Sequence, residues 1–84
     1  GAPEEKGRLQ VLEIHTKKMP IGDGKKELTK DKRDLLLKEL AKKTEGYTGA
    51  DVEALLERFR QLAVKIPYFH MYPAQEQKLE EEGL

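Results

Sequence analysis

Thr44-Glu45-Gly46-Tyr47-Thr48-Gly49-Ala50-Asp51 is the stretch on which the reading of the chain turns. Thr48 and Asp51 stand three apart, the spacing of a capping box. The Thr48 hydroxyl can accept from the Asp51 amide, and the Asp51 carboxylate can accept from the Thr48 amide. A helix is therefore predicted to start here. Val52, Leu55, Leu56, Phe59, Leu62, Ala63 and Ile66 continue it as an apolar stripe of helical period, and Pro67 stops it. Upstream, Gly46 is placed to end a preceding helix. That helix starts between Thr29 and Asp34, runs to Thr44, and buries Leu36, Leu37, Leu40 and Ala41.

Working outward, Ile21 to about Lys30 is a polar connection with Gly22-Asp23-Gly24 as its turn. Before it, a first helix is predicted from about Pro3 to Met19. Pro3 suits the first helical position, Lys17 and Lys18 suit the last turn, and Pro20 ends it. Leu9, Leu12, Thr16 and Met19 form one stripe, with Val11 and His15 four apart on the neighbouring one. After Tyr68-Phe69-His70-Met71-Tyr72, a short fourth helix is predicted over 73–82. The fold class expected is all-α, a small four-helix bundle in a single domain, 1–84.

Composition narrows the function. The 84 residues contain no cysteine and no serine, which excludes thiolate metal sites, disulfides and a serine nucleophile. His15 and His70 lack partners at metal-ligand spacing. No phosphate-cradling glycine loop ending in Lys-Ser/Thr is present. No apolar run approaches the roughly 20 residues that span a bilayer, so a soluble, cytoplasmic protein without a membrane partner is expected. Lys and Arg outnumber Asp and Glu by 12 to 8 up to Thr44 and fall behind by 4 to 8 afterwards. With 16 of each in all the net charge is zero, which argues against nucleic acid as the main partner. Gly1 before Ala2-Pro3 reads as a scar of tag removal.

Gly49, directly after the N-cap, is the informative oddity. Glycine there costs about 1 kcal/mol relative to alanine. A side-chain-poor helix start offers free N–H groups to a flat or anionic ligand. Equally, Gly49 can be a tolerated first-turn residue, and spacing alone does not choose.

Two motifs together resemble the small helical lid of AAA+ ATPases. They are Gly7-Arg8-Leu9-Gln10-Val11-Leu12-Glu13-Ile14-His15-Thr16-Lys17-Lys18-Met19-Pro20 and Leu40-Ala41-Lys42-Lys43-Thr44-Glu45-Gly46-Tyr47-Thr48-Gly49-Ala50-Asp51-Val52-Glu53-Ala54-Leu55. The valosin-containing-protein type and its archaeal relatives are most similar, proteasomal ATPases next. The resemblance implies a lid that follows an α/β nucleotide-binding domain in the same parent chain, with ATP or ADP at their junction. The position of Val11 would then pack near adenine, His15 would lie against the nucleotide, and Gly49 and Ala50 would approach adenine and ribose. Magnesium and catalytic groups would belong to the α/β domain, so the expected chain forms one wall of the site and catalyses nothing alone. Neighbouring subunits of a homo-hexamer and protein substrates are the further partners implied.

Three features depart from the family pattern. The passage from Met19-Pro20 to Leu40-Ala41 is about twice the usual length and basic around Gly24 to Arg33. Arg58-Phe59-Arg60-Gln61 replaces an alanine-rich stretch, and the closing-helix pattern has no match after Ile66. A second reading follows from the long basic loop and the 68–72 aromatics: a free-standing helical protein-interaction module without a nucleotide role. The alternative for those aromatics, and the favoured one, is that they cap the small core. Nucleic-acid binding through the basic loop is the third and weakest reading.

Overall fold

A computed structural model describes residues 3–71. Within them are three helices, α1 (Glu5–Thr16), α2 (Lys30–Lys43) and α3 (Gly49–Lys65). The all-α class holds for these residues; the fourth helix predicted over 73–82 lies outside them. α1 packs against both other helices. Leu12, Leu40, Val52 and Phe59 are fully buried where the three meet, and Leu36, Leu37, Leu56 and Leu62 close around them. These are the positions that the helical spacing assigns to the inner faces.

The capping box at α3 is present in both directions. The Asp51 amide donates to Thr48 Oγ1 at 3.0 Å, and the Thr48 amide donates to Asp51 Oδ2 at 3.0 Å. α2 is capped by Thr29, whose hydroxyl accepts from the Lys32 amide. α1 is shorter than predicted, ending at Thr16 and not at Met19. Pro20 disfavours helical geometry in the residue before it. The Met19 amide accordingly turns back to the Thr16 carbonyl at 3.0 Å, and Met19 reaches the core from outside the helix.

The connection between α1 and α2 is more ordered than a polar loop. Ile21 is buried, and its carbonyl accepts from the Leu28 amide at 2.9 Å. Gly24 turns the chain at φ +93°, where an L side chain would be strained. Asp23 Oδ1 accepts from the amides of Lys25 and Lys26, and the Lys26 amide does most to hold its carboxyl below the usual carboxylate range. This small hairpin docks on the segment after α3. The Gly22 amide donates to the Phe69 carbonyl and the Gly24 amide to that of Tyr68. A Cβ at Gly22 would lie within 2.4 Å of Tyr68 Cβ, so only glycine permits this approach.

Phe69 and Met71 are buried, Phe69 with its ring centroid 5.8 Å from that of Phe59. These two side chains cap the core, while Tyr68 is half exposed. The basic stretch between Gly24 and Arg33 divides in two: its first part is the hairpin, its second the opening turn of α2. Arg33 joins the parts by donating to the Met19 carbonyl at 3.0 Å.

Candidate functional site

The first turn of α3 presents backbone amides that the fold leaves without an internal partner. Its cap is satisfied internally by Thr48 and Asp51. The Gly49 and Ala50 amides, as the first two of the helix, have no intrahelical acceptor. Gly49 is half-buried, and Ala50 is exposed. A Cβ built on Gly49 would meet nothing within 4 Å, and its backbone is not left-handed. Neither packing within the chain nor backbone conformation therefore demands glycine at this position. Alanine would fit the folded chain there as well as glycine does.

His15 comes to α3 one turn further on. Its Nε2 stands 3.3 Å from Glu53 Oε1, with the two side chains 44% and 57% exposed. Glu53 follows Gly49 by four residues, which sets the two on one face of α3. His15 and Gly49 thus belong to the same side of the α1–α3 pair. Val11, one turn before His15, is half-buried and packs against the core. Its contribution to any ligand surface is the part of the side chain left uncovered.

The four positions do not enclose a cavity. His15 lines a depression of about 200 Å³ together with Met19, Glu53, Leu56, Glu57 and Arg60, pointing along α3 away from Gly49. This is below the ~300–1,000 Å³ of small-molecule sites. Glu57 in that depression is held below its usual pKa chiefly by its hydrogen bond from Arg60. A ligand at His15 and Gly49 would lie on an open surface and need a second wall. Among the described residues, no group of three or more His, Asp and Glu is placed to hold a metal ion, and no helix is long and apolar enough to cross a membrane.

Two residues important to this geometry escape a reading of the sequence. Glu53 is the partner of His15, and only the crossing of two helices reveals it. Arg8 is 4% exposed and donates from Nε and Nη2 to the Ala41 carbonyl, at 3.1 and 2.7 Å. Its Nε also reaches Thr44 Oγ1 at 3.2 Å, and its Nη1 the Pro3 carbonyl at 2.8 Å. The available signal is its place four residues before Leu12 and eight before Thr16, on the stripe that α1 buries.

Comparison with known proteins agrees with the motifs. Residues 34–58 match the family model of the AAA+ lid domain. The cell division cycle protein 48 homolog of Archaeoglobus fulgidus is 46% identical over 55 residues, 66% of this chain and 6% of the relative. The proteasome-activating nucleotidase of Methanocaldococcus jannaschii is 44% identical over 54 residues, 64% of this chain and 10% of the relative. The ATP-dependent zinc metalloprotease FtsH of Leuconostoc mesenteroides is 38% identical over 65 residues, 77% and 8%. The chain thus spans a tenth or less of the length of these curated relatives. No solved structure matches it significantly.

Proposed function

We propose that this chain, which carries an AAA+ lid domain, forms the adenine-side wall of an ATP site whose other wall is an α/β domain of the same parent polypeptide. The observation that carries this reading is the open space over Gly49. A glycine that nothing inside the chain requires, at a helix start with two free amides, suits the close approach of a flat ring from outside.

In this reading, Gly49 and Ala50 face adenine and ribose, and Val11 adds apolar contact. His15 lies beside the nucleotide with Glu53 behind it, so that the carboxylate can orient the imidazole. Phosphates and magnesium are held by the α/β domain. The lid moves as a rigid body when the γ-phosphate is lost, and the motion passes to the neighbouring subunit of a homo-hexamer that remodels proteins. Its three-helix core, with Phe59 and Leu40 fully buried, gives the stiffness that such a movement needs. Phosphate contacts dominate nucleotide affinity, so the lid by itself holds nucleotide weakly.

The test is Gly49→Val in the longer ATPase chain, with nucleotide titration and circular dichroism. A β-branched side chain in the open space clashes with the ring and leaves the core untouched. Nucleotide affinity falls at least tenfold while the helical signal is retained. Unchanged affinity would remove Gly49 from the site.

A further inference from the structure

We infer that Arg8 is a mechanical joint through which displacement of the chain at Pro3 reaches the 44–48 connection and the start of α3. Its guanidinium is buried, and among the described residues its hydrogen bonds end on neutral oxygens: two on the Ala41 carbonyl, one on Thr44 Oγ1 and one on the Pro3 carbonyl. Burying a cation against neutral partners is unfavourable compared with an apolar side chain of like volume. Such a group is kept where it fixes the register of the parts it joins. Here the parts are the segment leading into α1 and the end of α2, which are more than thirty residues apart in sequence.

The path beyond Arg8 is short and stiff. Thr44 is itself buried, and its hydroxyl donates to the Leu40 carbonyl at 2.8 Å. The Thr44 carbonyl accepts from the Tyr47 amide at 3.0 Å, and Gly46 turns the chain at φ +87°. Thr48 then caps α3 directly before Gly49. At the other end, the Pro3 ring rests on Gly7, where a Cβ would stand 3.2 Å from Pro3 Cβ. A planar fork of donors holds its acceptors in one arrangement, which a flexible ammonium cannot do. The bland alternative is that Arg8 only neutralises the negative end of the α2 dipole, a role that any cation could fill. That the joint would affect nucleotide rests on the reading of Gly49 above, whereas the joint itself does not.

The experiment uses the 84-residue chain, isotope-labelled, without nucleotide. Pro3→Gly is introduced into the unsubstituted chain and into an Arg8→Lys background. The amides of Thr44, Tyr47 and Gly49 are followed by chemical shift and hydrogen exchange. Pro3→Gly is expected to move all three resonances and to speed exchange at Tyr47 about threefold or more in the Arg8 chain. In the Arg8→Lys background, which retains charge and loses the fork, the same substitution should leave them nearly still. Equal responses in both backgrounds would overturn the inference. So would three unmoved amides in the Arg8 chain, a result that requires no Arg8 variant to fold. Because no nucleotide is present, either result is independent of whether Gly49 faces adenine.

Discussion

Arg8 and His15 stand seven residues apart on α1, facing almost the same way, yet the helix treats them as opposites. Arg8 is covered by the end of α2 and fully engaged with carbonyl and hydroxyl oxygens. His15 is nearly half exposed, with its Nε2 3.3 Å from Glu53 Oε1. One end of the stripe is a closed joint, and the other is an open wall. The difference teaches how a small domain with a thin core divides its work. Geometry is fixed where polar groups are buried and satisfied, while the surface at the other end is left uncovered.

The largest expected effect removes what both ends share. Phe59 is fully buried under the whole assembly, so Phe59→Ala should lower stability by about 4 kcal/mol. Urea denaturation followed by circular dichroism would record this, with both ends lost together. If the two ends instead melted separately, they would not rest on one core. Arg8→Met sharpens the contrast. It removes both guanidinium donors from the Ala41 carbonyl, leaving it the Thr44 hydroxyl at 3.3 Å, and should cost about 2 kcal/mol by the same measurement, the loss of buried hydrogen bonds offset by relief from burying a charge. A gain in stability would show that the buried cation is a burden with no compensating bonds. His15→Ala should be almost silent, at most about 0.5 kcal/mol, because an exposed pair contributes little. A loss as large as that of Arg8→Met would erase the distinction between joint and wall.

Much of the helical body was legible because its signals are local. The Thr48–Asp51 box, the apolar stripe of α3 and the stop at Pro67 all act within a few residues, and helix start and stop rules read them directly. The end of α1 lies about one turn before the position that the apolar pattern indicates, because Met19 continues the stripe while Pro20 disfavours helical backbone at Met19. The hairpin was half-legible. Gly22-Asp23-Gly24 announced a turn, but the pairing of Ile21 with Leu28 and the docking of Gly22 on Tyr68 arise from tertiary contact.

In the site, the unusual glycine was visible and its open surroundings were not. Gly49 can be read from the sequence as an oddity, but whether a neighbour fills the space above it depends on how α1 and α3 cross. Arg8 was hidden for a different reason. An arginine in a charged helix reads as solvated surface, and its acceptors lie 33 and 36 residues away.

In the proposed function, the open end of α1 and the first turn of α3 face adenine. The decisive measurement photolabels, with 8-azido-ATP, a polypeptide that joins this lid to the proposed α/β nucleotide-binding domain, and maps the labelled peptides. Label is predicted on the peptides that contain Val11 to His15 or Gly49 to Ala50, and on none from the 21–28 hairpin. Label confined to the hairpin, or absent from the lid while the α/β domain is labelled, would contradict the account.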